Sequence, residues 1–449
     1  MLSKIIDFGI FSILFFSSYV LFTQPFEFYV NYIPLILLLF IFIFKYKFPT
    51  KILYLFIPLL IFGLINIFYD NNTFGSFIKI FSNILISVTF FYYVFEYYEK
   101  DIKRFFQTYM QWCVVVSVIG LIQLVSYLVG FRYGYDFSAI GLNKWGVIKG
   151  GFGIRVNSIF CEPSYFASTV GPAFFISVYN LFFNKTYFIN RKKAIIISIT
   201  YLLTFSSLAY LSILIVLLLM LYNYGLVRYI LFSIPIFLVI FSFIYNNVPE
   251  FKERYDGFTA LYIEGILENQ GTSETKGGFL SQNKSKINIL GKVHGSSFVQ
   301  YNNFVITKTN FYKNPFFGTG LGSHQFAFEK YNLNAFMGDK YRNNNTDANS
   351  MLLRIISETG LFGLIFIFLF IKNNYVKRNT DTEKDSESIN IWLISNAVLV
   401  VILLQLIRQG NYTFGGFMAY MWLYYYANQA HESLKLKNIE NELIVSEHK

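Results

Sequence analysis

Charge is what this chain has least of. Only 14% of its 449 residues are Asp, Glu, Lys or Arg, against about 25% in soluble domains. That is too little polar surface for a globular protein in water, whereas 55% hydrophobic and 21% aromatic residues suit burial in lipid. Cysteine and histidine are equally thin. Cys113 inside an apolar run and Cys161 at its polar end support no disulfide framework, and His294, His324, His431 and His448 have no ligand spacing. No metal is therefore expected. The net charge of +11 does not mark a nucleic-acid binder, because the basic residues are scattered over short gaps between apolar runs.

Long apolar runs fill the rest. Stretches near the ~20 residues needed to cross a bilayer lie at about 5–23, 30–44, 52–69, 74–95, 106–130, 163–183, 194–206, 207–224, 229–246, 350–371, 389–407 and 412–428. The first is long for a signal-peptide core and lacks a small-residue cleavage site, so it reads as a retained span. Residues 194–224 are too long for one crossing and divide at Ser206-Ser207 into two short tilted helices. The expected class is an all-α integral membrane protein of about twelve spans.

Lysine and arginine set the direction. They cluster at Lys45, Lys47 and Lys51, at Lys100, Lys103 and Arg104, at Lys185 and Arg191–Lys193, and at Lys372, Lys377, Arg378 and Lys384. The intervening gaps at Gln24–Tyr29 and Asp70–Thr73 have none. The positive-inside rule then places both termini in the cytoplasm. Counting alternately divides the chain into spans 1–130, a first outer segment 131–162, spans 163–246, a large outer segment 247–350, and spans with a cytoplasmic tail at 351–449.

Function is sought in the two outer segments, where polar groups concentrate. Gly150–Ser168, GGFGIRVNSIFCEPSYFAS, joins a Gly-rich turn to Arg155, Glu162, Pro163 and an apolar helix. Proline suits the first helical turn, so Glu162 falls at the positive end of a helix dipole, as a cap or as a functional carboxylate. Arg155 can pair with Glu162, hold a diphosphate through its fork of donors, or sit at the headgroups as a surface arginine. In the second segment, 298–311 suits an interfacial helix or a short strand, and the middle, 269–297, is rich in Gly, Ser, Asn and Lys. Asn314–Ser323 is a turn whose Gly318 and Gly320 let backbone N–H groups approach a ligand. Asp347, Asn349 and Ser350 are candidate N-caps. Arg354 and Glu358, spaced i,i+4 just inside a span, are expected to pair or to face a cavity. Arg408 ends another span at the outer face, and His324 is a loop histidine that is either solvated or a base.

An outer-face arginine followed by EPS and a helix resembles the O-antigen and polysaccharide repeat-unit polymerases of the Wzy type, in the O-antigen ligase and polymerase superfamily. The turn Pro315–Ser323 resembles that family too, as does Asp347, Asn349, Leu353, Glu358, Gly360 and Gly363 in order. The resemblance spans Arg155 to Gly363. It implies a GT-C-like glycosyltransferase of the bacterial inner membrane that needs no cofactor, nucleotide sugar or metal. Its substrates are polyprenyl-diphosphate-linked oligosaccharides among membrane lipids, with a chain-length regulator and a flippase as further partners. By position, Arg155, Arg354 and Arg408 would bind the diphosphate, and Glu162, His324 or Asp347 would be the base. The ligase branch has histidine before the last motif's Asn, where this chain has Ala348, which favours polymerase over ligase. A lipid-linked oligosaccharide flippase is the alternative from another class, with the expectation of internal repeats and midplane polar groups.

Overall fold

The computed structural model describes residues 2–24, 28–226, 295–332, 344–378 and 385–447, with scattered positions between 229 and 259. The expected span 229–246 and the Gly-, Ser-, Asn- and Lys-rich stretch 269–297 lie mostly outside the described residues.

Apolar runs become helices, as backbone polar groups in lipid require. In chain order these are α1 (Leu2–Phe15), α2 (Tyr32–Lys45), α3 (Thr50–Phe68), α4 (Phe74–Tyr97), α5 (Ile102–Leu128), the single turn α6 (Arg132–Tyr135), α7 (Pro163–Phe183), α8 (Arg191–Leu202) and α9 (Ser207–Asn223). Then follow α10 (Gly295–Lys313), α11 (His324–Tyr331), α12 (Met351–Asn373), α13 (Ser386–Arg408) and α14 (Phe417–Glu447). Five of them, α4, α5, α7, α12 and α13, are long and apolar enough to cross a membrane. Shorter apolar helices are α2, α9 and the Ile52–Phe68 part of α3.

One expectation is corrected and one open choice is decided. The first apolar run is helical only to Phe15; beyond it Val20–Phe22 pairs antiparallel with Phe28–Tyr29, and the Phe22 and Phe28 rings stack at 5.0 Å. Aromatic residues in a two-residue register satisfy a hairpin better than another helical turn. The 298–311 region, left between helix and strand, is helix throughout α10. The division of 194–224 is as expected: Ser206 accepts the N–H of Leu208 at the start of α9.

The bundle is built around α13. Ninety-four per cent of its apolar window is buried, against 28% for α12, so α13 is a core helix and α12 presents much of itself outward. Around α13 pack α7, α9, α12, α14 and part of α5, and α8 lies against both α7 and α5. Inside this apolar core the buried Trp392, Val398 and Val401 lie on α13 itself.

The α9–α13 junction carries one polar knot. Asn223 Oδ1 accepts from Trp392 Nε1 at 2.9 Å and from Tyr375 Oη and the Arg378 N–H, each at 3.1 Å. Its Nδ2 donates to Asn396 Oδ1 at 2.9 Å. Each of these buried groups finds a partner, as a low-dielectric interior demands.

Candidate functional site

The feature that organises the site is a break. Within α12, Gly360 has φ 60° and ψ −146°, so Met351–Thr359 and Leu361–Asn373 are two rods rather than one helix. The Asn314–Ser323 turn enters the break. Leu361 and Phe362 donate their N–H groups to the carbonyls of Pro315 (2.8 Å) and Phe316 (3.0 Å). In return Thr319 and Gly320 donate to the carbonyls of Ser357 (3.3 Å) and Glu358 (2.8 Å). Two N–H groups and two carbonyls that the break releases are thus met by the turn. Gly318, with φ 62°, is required at this contact, since a Cβ there would stand 2.4 Å from the Glu358 carbonyl carbon. The N–H of Gly320 therefore serves the helix, not a ligand.

On the rod before the break sits a buried ion pair. Arg354 Nε meets Glu358 Oε1 at 2.9 Å, with side chains only 4% and 0% exposed. Arg354 Nη1 donates to Gly410 O at 2.9 Å, and the guanidinium lies 4.5 Å from the centre of the Tyr412 ring. Glu358 Oε2 accepts from Tyr412 Oη at 2.9 Å, while Oε1 also faces the N–H of His324 at 3.4 Å. The expected pairing is present, and it draws in the α13–α14 loop. Arg354 holds that loop in place rather than standing open to a diphosphate.

His324 is fully buried at the start of α11. Asn303 Nδ2 donates to Val299 O at 2.9 Å, which turns Asn303 Oδ1 towards His324 Nε2, also at 2.9 Å. Nε2 then carries the proton, and Nδ1 accepts from Ser357 Oγ at 3.3 Å. Burial, reinforced by the charge of Arg354, pushes this imidazole down to about 3. With both nitrogens occupied and protonation disfavoured, His324 is a packing residue and leaves the set of candidate bases. Its titration is a stability term. The folded value lies below the unfolded value of about 6.5, so the contribution is complete above that pH and is lost as pH falls towards 3. Thermal unfolding in detergent between pH 7.5 and 4.5 should show wild type losing about 1.4 kcal/mol per unit more than His324→Gln below pH 6.5. Parallel curves would refute the assignment.

The 131–162 and 344–350 segments both meet the α13–α14 loop: Asp347 packs its backbone on Gly410, and Tyr165, in the first turn of α7, packs on Phe414. The Tyr165 ring lies 4.2 Å from that of Phe414. Glu162 stands at the N-cap position with Pro163 after it, but its side chain makes no capping bond; Oε2 accepts from Ser164 Oγ at 2.7 Å. Asp347 is not the cap of α12 either. Its Oδ1 accepts from Asn344 Nδ2 (3.0 Å) and the Asn349 N–H (3.1 Å), and Ser350 caps the helix by accepting from the Leu353 N–H. Glu162, Asp347 and Asn349 are all half-buried. Arg408 Nη1 donates to Gln300 Oε1 at 2.6 Å, tying α13 to α10. Half-buried Arg155 donates Nε to Thr204 O at 3.2 Å, on the α8–α9 link.

Neither a family model nor a curated protein matches this chain. The site is therefore read from its own geometry.

Sequence reasoning missed the residues that hold the site together. Gln123, fully buried in α5, accepts the N–H groups of Asn157 (3.1 Å) and Ser158 (2.9 Å) with Oε1 and donates Nε2 to Asn157 Oδ1 at 2.7 Å. It moulds the Arg155–Glu162 segment. A glutamine in an apolar run was the available signal, because lipid tolerates such a group only when it is paired. Tyr412 and Gly410 gave a fainter one. A Cβ on Gly410 would fall 1.4 Å from Asp347 O, so only glycine lets the two loops touch.

Proposed function

We propose that the protein is a membrane glycosyltransferase that polymerises polyprenyl-diphosphate-linked oligosaccharide repeat units at the outer face of a bacterial inner membrane, with both termini cytoplasmic. The observation that supports this reading is that the segments carrying Glu162 and Asp347, nearly two hundred residues apart, are both drawn to the α13–α14 loop, at Phe414 and at Gly410. Two half-buried carboxylates on segments that share one loop, with that loop held by Arg354 through Gly410, suit an acid–base step next to a diphosphate.

In the reaction, a hydroxyl oxygen of the acceptor sugar attacks the anomeric carbon of the donor. The bond from that carbon to the diphosphate oxygen breaks, and polyprenyl diphosphate leaves with the bonding electrons. The hydroxyl proton passes to Glu162 or Asp347. Arg155 and Arg408 stabilise the leaving diphosphate, and Arg354 acts as a positioning residue through Glu358 and Gly410. The GT-C-like fold and the twelve-span topology belong to this proposal.

One observation favours the flippase reading: a discontinuous membrane helix, a form common at transporter substrate sites. Here, however, the break in α12 is closed by the chain's own turn, so neither half-helix end is offered to a substrate.

The test is a gel of surface polysaccharide from a strain lacking the gene, complemented with wild type, Arg155→Ala or Glu162→Gln. A polymerase predicts a ladder with wild type and single repeat units on their anchor with either variant, a loss of at least about a hundredfold in polymer for the carboxylate by the usual size of acid–base effects. Full ladders from both variants would overturn the site. Polymer held on its lipid carrier in the deletion strain would mean ligase, and repeat units trapped in the cytoplasm would mean flippase.

A further inference from the structure

A groove of about 1030 Å³ runs between α3 and α4 on one side and α12 and α14 on the other. Its lining follows α12 from Met351 to Asn374. At 1.5 Å per residue the two rods together reach at most roughly 34 Å, enough to cover a bilayer's hydrocarbon core of about 30 Å. Most of the wall is apolar, with Phe56, Ile84, Phe366 and Trp422 among it.

Its two ends differ. Near the Glu358 cluster the polar lining groups Thr359 and Tyr412 are both committed inside the protein. Thr359 Oγ1 donates to Ile355 O at 2.7 Å and Tyr412 Oη to Glu358 Oε2 at 2.9 Å. The opposite end carries all the lining charge: Lys47, Glu96 and Lys100, beside Gln429 and Ser433. Glu96 lies 3.2 Å from Lys100 Nζ, whose side chain remains 54% exposed. Lys47 is exposed as well. Two ammonium groups against one carboxylate leave a positive mouth on an apolar slot.

We infer that this groove is a binding site for an anionic phospholipid, with its acyl chains along α12 and its headgroup at Lys47 and Lys100. Basic pockets between membrane helices hold such headgroups by desolvated hydrogen bonds and field, while the acyl chains bury against the slot. A donor's diphosphate would have to lie at the other end, by Glu162 and Asp347, where the groove offers no charge. The lipid site is therefore separate from the proposed reaction site. On the orientation proposed above its lipid comes from the cytoplasmic leaflet.

The protein, purified in mild detergent, is offered an equimolar mixture of phosphatidylglycerol and phosphatidylethanolamine, and bound lipid is read by native mass spectrometry. Phosphatidylglycerol should be retained over phosphatidylethanolamine. Lys47→Glu with Lys100→Glu should cut that retention about tenfold or more, given the usual worth of one interfacial lysine. Ala430→Trp, which fills the slot, should abolish it. The lysines are exposed, so the charge variant reports even where the tryptophan variant does not fold. Equal retention of the two lipids, or unchanged retention in the folded charge variant, would overturn the inference. So would a polyprenyl phosphate that displaces phosphatidylglycerol and ignores both lysines. Loss of lipid with a normal polysaccharide ladder separates this site from the proposed reaction.

Discussion

Glu358→Ala should lower stability by about 3–5 kcal/mol, because it strands the Arg354 guanidinium in the core without its counter-charge. Arg354 is 4% exposed, and of its hydrogen bonds to Glu358 and Gly410 only the one to Gly410 O survives the change. Tyr412 Oη loses its acceptor at the same time. The single variants should therefore be worse than the pair removed together. Arg354→Met with Glu358→Leu should cost less than the sum of the two single changes by at least about 1 kcal/mol, since apolar replacement of both ions removes the stranded charge. Chemical unfolding in detergent, followed by tryptophan fluorescence, gives the four corners of that cycle. If the double variant falls at the additive value, the pair is not coupled and Arg354 would be open to a ligand after all.

Gly318→Ala should be at least as damaging, for a different reason. Two glycines with nearly the same backbone make the comparison: Gly318 has φ 62° and Gly130 φ 75°. Around Gly130 a Cβ would meet nothing within 4 Å. Its substitution should cost only the left-handed strain, about 1–2 kcal/mol. At Gly318 the new methyl would drive into the backbone at Glu358, from which it would stand 2.4 Å away. The turn must leave the break, and the carbonyls of Ser357 and Glu358 then lose their donors in a dry setting. Each such loss costs about 1–3 kcal/mol. The total should exceed that of Gly130→Ala by about 3 kcal/mol, seen as a lower and broader thermal transition together with new protease cleavage between residues 314 and 323. Equal costs at the two positions would show that the turn and the helix do not interlock.

Much of the helix map could be read from hydropathy alone, because in lipid an apolar run of sufficient length has little choice but to be helical. The start of α7 at Pro163, the start of α9 after Ser206 and the Arg354–Glu358 pair were legible for local reasons: a missing N–H, a capping hydroxyl and an i,i+4 spacing. The end of α1 was not, because what stops it at Phe15 is a pairing with residues beyond Thr23. The same holds at the site. His324 looks like a base until Asn303 and Ser357 are seen on its two nitrogens, and both partners lie more than twenty residues away in sequence. Gly360 looks like one tolerated glycine in a helix until Pro315 and Phe316 are found in its gap. Local chemistry was readable; the long-range exchange of hydrogen bonds was not.

That exchange also separates two ways of counting α12. By length and composition, Met351–Asn373 is one helix long enough to cross a bilayer, its break bridged by four hydrogen bonds to the turn. To the protein it is a pair of rods joined at one swivel. The first is riveted through Ser350, Arg354 and Glu358 to the loops at the α13–α14 end. The second supplies most of what α12 adds to the groove wall. A tilt of one is not obliged to tilt the other.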